Sequence, residues 1–160
     1  DAWIAMLDGS LAPRIRASII EMHLKNEDPD AALPGTPLPN GDYRCRVIKL
    51  GTQMPGGLAF VAYPAFICRV RQEGDLQGFA KLSGSQRPIG VILPDSDRRS
   101  IFLGTLQLGD ETGALQYGRD RERDMAALVE RVGERRWRLA FPSPYFESLL
   151  DVIELTPRAS

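Results

Sequence analysis

"GDYRCRVIKL", residues 41–50, is where the period of the chain changes to two. Tyr43, Cys45 and Val47 alternate with Arg44 and Arg46, so an extended strand carries apolar side chains on one face and arginines on the other. "FICRVR", residues 66–71, repeats the pattern, with Phe66, Cys68 and Val70 set against Ile67, Arg69 and Arg71. Further short runs follow: "LQGFAKL" (76–82), "PIGVIL" (88–93), "SIFLGTLQL" (100–108), "ALQY" (114–117), "RWRLAF" (136–141) and "LLDVIEL" (149–155). Between the earlier runs stand Gly74-Asp75, Gly84-Ser85, Pro94-Asp95 and Gly109-Asp110, all turn chemistry. The pattern predicts a mainly β (α+β) chain: a small antiparallel up-and-down barrel of about eight strands, the number that closes over side chains or one small ligand.

Helical periodicity is confined to two places. In "LAPRIRASIIEMHLKNEDPD" (11–30), Leu11, Ile15, Ile19 and Met22 share one face. An N-terminal helical segment over 1–30 is expected to pack on the barrel through Trp3. In "RDRERDMAALVERVGERR" (119–136), Met125, Leu128, Val129 and Val132 fall on one stripe, with Asp120 as cap and Gly133 as stop. This predicts a helix near 120–132. Pro34, Gly35, Pro37 and Pro39 make 31–41 a semi-rigid linker. The barrel domain then runs over 42–157, and the whole forms one structural domain.

The two cysteines share the apolar faces of consecutive strands, which are usually neighbours. Opposed residues of an antiparallel pair sit near the separation a disulfide needs, so a Cys45–Cys68 bond is expected. The alternative is two reduced cysteines acting as small apolar residues. The repeated arginines, Arg44, Arg46, Arg69, Arg71, Arg136 and Arg138, belong to the outward, solvated faces.

The totals exclude much. The 160 residues carry a net charge of -1, with 43% apolar and 26% charged residues. That suits one core-forming domain and gives no basic excess for nucleic acid. No apolar run reaches the length of a membrane span. The chain opens at "DAWIAML", without a methionine or basic leader, as a mature or trimmed form would. His23 is the only histidine, so a Ser-His-Asp or Cys-His arrangement has one base to draw on, and a transition-metal site has too few ligands. No metal and no cofactor is expected.

The strings "KLSGSQRPIGVILPDSDRRSIFLGTLQLGDE" (81–111), "YGRDRERDM" (117–125), "RWRLAFPSP" (136–144) and "ESLLDVIEL" (147–155) resemble an uncharacterised alphaproteobacterial domain-of-unknown-function family of short exported proteins. The resemblance implies a periplasmic or secreted protein and carries no assigned activity or site. The strand count is also similar to calycin-like barrels, among them lipocalins, avidins and bacterial metalloprotease inhibitors. That likeness is architectural and gives no function.

Two groups of residues remain as candidate sites. "SGSQRP" gathers Ser83, Ser85, Gln86 and Arg87 at one strand end, where a barrel mouth would admit a ligand and Arg87 could grip a carboxylate or phosphate. The plain alternative is a hairpin turn. Asp95 and Asp97, with Asp110 and Glu111, are paired carboxylates suited to calcium or to acid–base work, and they are also ordinary turn residues. The expectation is an exported, non-enzymatic binding domain, taking a small ligand in the barrel mouth or a protein partner at its rim. The alternatives are an enzyme built on the carboxylates and Arg87, or a module resembling a protease inhibitor.

Overall fold

A computed structural model describes residues 31–35, 37–51, 60–109, 111–112, 117–142, 148 and 150–158. Among these residues there are nine strands: β1 (Gly41–Leu50), β2 (Phe60–Ala62), β3 (Phe66–Glu73), β4 (Leu76–Lys81), β5 (Gln86–Pro94), β6 (Arg99–Leu108), β7 (Asp124–Gly133), β8 (Arg136–Phe141) and β9 (Leu150–Pro157). From β3 onward each strand pairs antiparallel with the next, and β9 returns to β1 to close an eight-stranded barrel. Closure leaves no free sheet edge in this circuit.

β2 is the continuation of β3 along β1. Cys45 opposes Phe66, while Ile48 opposes Ala62. Two residues thus separate the pairings on β1 and three on the other strand. Pro64, which cannot donate to a ladder, lies within that interruption, where a bulge is tolerated.

Strand parity sends one face inward. Tyr43, Cys45, Cys68, Val70, Phe79, Phe102, Ala127, Val129, Trp137, Leu139, Ile153 and Leu155 form a single core cluster. Across the middle, Phe79 meets Phe102 edge-on at 5.6 Å between ring centroids, and Phe102 meets Phe141 at 5.9 Å. Gly90 and Gly104 face each other across β5 and β6. A Cβ on Gly104 would come within 2.5 Å of the Phe102 ring and 2.3 Å of the Ile89 carbonyl, so this close approach requires the glycine.

The expected helix near 120–132 is corrected: the residues form β7, and there is no helix among those described. Met125 and Val129 are four apart, which suits a helical stripe and one strand face equally. Ala127 joins them inside the barrel, while Leu128 and Glu130 are buried on the outer face. A strand buried on both faces loses its alternation, and the helical period then fits by accident. Asp120 serves a turn instead of a cap, accepting from the Glu122 and Arg123 amides. The N-terminal segment 1–30, with Trp3 and His23, lies outside the described residues, as does most of the expected "ALQY" strand.

The Cys45–Cys68 disulfide is present, with Cα atoms 5.9 Å apart and both residues fully buried. The cysteines are diagonal neighbours, since Cys45 opposes Phe66 and Tyr43 opposes Cys68. The bond closes a loop across 23 residues. By chain entropy such a loop contributes roughly 3 kcal/mol. The Cys45→Ser/Cys68→Ser protein should lose about that much in urea unfolding under non-reducing conditions, and an unchanged midpoint would contradict it.

The proline-rich stretch packs against one barrel end. Leu33 bridges to Arg131, Leu38 is buried, and the Pro39 carbonyl accepts from the Tyr43 hydroxyl. Outside the barrel, Arg44, Arg46, Arg69, Arg71 and Arg136 are exposed. Arg69 holds Asp42 through two bonds, and Arg71 reaches Glu73, so acidic partners interrupt the basic face. Arg138 departs from the expected solvated position. It points outward yet is fully buried, with Nε 3.1 Å from the Glu130 carboxylate. It belongs to a second buried layer with Ile48, Leu50, Leu128, Ala140 and Val152, whose strand parity is opposite to that of the core.

Candidate functional site

Core side chains pack the barrel toward the end that carries Leu38 and Trp137 (the filled end), where a crevice of about 260 Å³ remains against the proline-rich stretch, lined by Leu38, Pro37, Asp97, Arg131 and Trp137. The opposite end is hollow. At the hollow end a cavity of about 270 Å³ lies above Phe141, Ile153 and Leu106. Its walls include Val47, Phe66, Lys49, Lys81, Gln86 and Asp151. Each of the polar four continues the inward parity of its strand: Lys49 follows Val47, Lys81 follows Phe79, Gln86 precedes Pro88, and Asp151 precedes Ile153.

Both lysines are nearly withdrawn from solvent, Lys49 at 7% and Lys81 at 5% exposure. They meet on Gln86. Lys49 donates to its side-chain carbonyl at 3.2 Å, and Lys81 to its backbone carbonyl at 2.8 Å. Their charges are compensated differently. Lys49 lies 3.8 Å from the Asp151 carboxylate. Lys81 donates to the Ser83 carbonyl at 2.9 Å and sits 3.8 Å above the Phe66 ring, with no carboxylate partner among the described residues. Gly84 closes over it at φ 90°, and a Cβ there would stand 2.7 Å from the ammonium. The left-handed backbone is what calls for glycine here.

Burial, with repulsion from Arg87 and Lys49, pushes Lys81 down to about 8 from an ordinary 10.5. Between those values the unfolded chain binds more protons than the folded one, so stability rises with pH across that window. Tyr43 opposes the trend above its ordinary value of 10, because burial holds it up to about 12. From pH 7.5 to 10, wild type should therefore gain about 2 kcal/mol relative to Lys81→Met. Urea titrations at several pH values measure this, and parallel curves for the two proteins would refute it.

Of the sequence candidates, Ser85 and Gln86 line the cavity. Ser83 sits in the turn beside it, its hydroxyl accepting from the Ile67 amide. Arg87 has outward parity and spans three backbone carbonyls, those of Gly84, Gly109 and Glu111. It fastens the β4–β5 turn to the exit of β6. Asp95 and Asp97 occupy the β5–β6 turn at the filled end, where Asp95 pairs with Arg99 and the Asp97 carbonyl accepts from the Gly35 amide. Glu111 follows β6 at the hollow end. Hydrogen bonds from Arg123, and then from the Leu108 amide, hold its carboxyl below the usual range. Asp110 lies outside the described residues. The described carboxylates of this set therefore stand at opposite ends of the barrel. Lys49, Lys81 and Asp151 were not singled out in the sequence. The signal available was parity: a charged residue on the inward register of a strand.

Fold and cavity together define a small closed antiparallel barrel with, among the described residues, a polar-walled, apolar-floored cavity at one end. The chain belongs to the family described as a domain of unknown function (DUF4893), whose model matches residues 1–155. No curated protein and no solved structure matches it.

Proposed function

We propose that this is a binding protein that takes a small ligand into the open end of the barrel, without catalysing a reaction on it. The observation that carries this reading is the cavity itself: about 270 Å³, apolar below and polar at its walls, held on rigid strands. That volume falls just below the roughly 300–1,000 Å³ typical of small-molecule sites. The carboxylates that the sequence offered for catalysis do not converge, since Asp95 pairs with Arg99 and Glu111 with Arg123 at separate ends. Of the groups that do converge, Lys49 is paired with Asp151 and Lys81 is held by two backbone carbonyls. The buried disulfide supports action in an oxidising compartment, periplasmic or extracellular.

The test is a nuclear magnetic resonance titration with small amphiphiles of varied charge. Shifts should concentrate at Val47, Phe66, Lys81 and Gln86, and Val47→Phe, which fills the cavity, should abolish them. If no compound moves these resonances at millimolar concentration, the reading fails.

A further inference from the structure

The cavity wall carries three cations, Lys49, Lys81 and Arg123, and three carboxylates, Glu122, Asp124 and Asp151, but among the described residues no carboxylate stands within ion-pair distance of Lys81. Lys49 is matched by Asp151, whereas among the described residues Lys81 is buried with two backbone carbonyls and an aromatic face around its ammonium. A buried cation without a counter-charge is costly, and an incoming anion offsets that cost. One cation with no carboxylate beside it among the described residues favours one negative charge, and Glu122 and Asp124 on the same wall disfavour more. A dianion would leave a second charge to be buried unpaired. Phe66 lies against the ammonium, and Val47, Phe141 and Ile153 line the same cavity, so the remainder of a bound molecule meets apolar surface.

We propose that the cavity selects a small amphipathic monoanion of the carboxylate class, its head group against Lys81 and its apolar body on Val47, Phe66 and Phe141. The assignment rests on the binding reading above and adds the chemical class of the ligand. A cavity of about 270 Å³ limits that ligand to on the order of ten non-hydrogen atoms. Anchoring of the charge by a desolvated ammonium makes the contact a charge-assisted hydrogen bond.

The charge state of Lys81 gives a second signature. Lys49 and Asp151 share the cavity with it from β1 and β9, Glu122, Arg123 and Asp124 line the cavity where the chain enters β7, and Arg87 repels it from the outward side of β5. Because the empty site holds the amine near a pKa of about 8, a bound carboxylate must raise it. Binding above pH 8 is then accompanied by proton uptake, and affinity falls as pH rises further.

Octanoate, octanol and octylamine share one chain and differ in head-group charge, so calorimetry with the three at pH 7 separates the contributions. Octanoate should bind at least tenfold tighter than octanol, with octylamine weakest. Lys81→Met should bring octanoate to the level of octanol while leaving octanol within threefold of wild type. If that variant does not fold, wild-type titrations at pH 8.5 in two buffers of different ionisation enthalpy still decide the matter. Proton uptake with octanoate but not octanol is expected, and its absence overturns the proposal. Octanol binding as tightly as octanoate would overturn the ligand class and leave the cavity reading standing. Failure of all three to bind would remove both.

Discussion

Trp137→Ala should cost about 3–5 kcal/mol, as emptying a large aromatic site does when its surroundings cannot collapse. Trp137 is 5% exposed, points into the filled end of the barrel, and meets the Tyr43 ring edge-on at 6.4 Å. Both flanking strands are fixed by closure: β8 pairs with β7 on one side and β9 on the other. A closed circuit cannot contract around a void without breaking register, so the cavity persists. The loss should appear in the urea midpoint with little change in slope. Arg44→Ala, on the exposed face of β1, is the control and should stay within about 0.5 kcal/mol of wild type. A Trp137→Ala midpoint equal to that of the control would contradict the placement.

Glu130→Ala should be equally damaging, by about 3–5 kcal/mol, because it takes away the carboxylate against which the buried Arg138 charge is held. Glu130 is 2% exposed and Arg138 fully buried, on the outer side of β7 and β8, where the two residues oppose each other directly. Burial pushes the Glu130 carboxyl up, against the opposing pull of Arg138, so the pair is expensive to hold even when intact. That asymmetry gives the decisive comparison. The double variant Glu130→Leu/Arg138→Met removes both charges and keeps the volume. It should recover to within about 1 kcal/mol of wild type or exceed it. A double variant as unstable as the single would mean that the pair itself is a net source of stability.

The barrel was legible in residues such as Tyr43, Cys45 and Val47 because a half-buried strand writes its environment into alternate positions. The disulfide was legible for the same reason: two cysteines on the apolar parity of consecutive strands meet when those strands pair. β7 was not legible, since Leu128 and Glu130 are buried on the face that alternation assigns to water. Arg138 was misplaced by the same cause. The cavity was half legible. Gln86 and Ser85 were read from their turn, but Arg87 beside them takes the opposite parity and holds backbone instead of ligand.

By itself the sequence determined the antiparallel strand class and the pairing of Cys45 with Cys68, whereas its count of eight strands included 114–117 and left out β7. Class and pairing depend on local period and on neighbouring strands. Only the tertiary structure decided that the outer face of β7, β8, β9 and β1 is buried. It alone brought Lys49, Lys81, Gln86 and Asp151, from four different strands, to one end of the barrel. Closure of the sheet made that convergence, joining β9 to β1 across the whole length of the domain, and no short-range pattern encodes it.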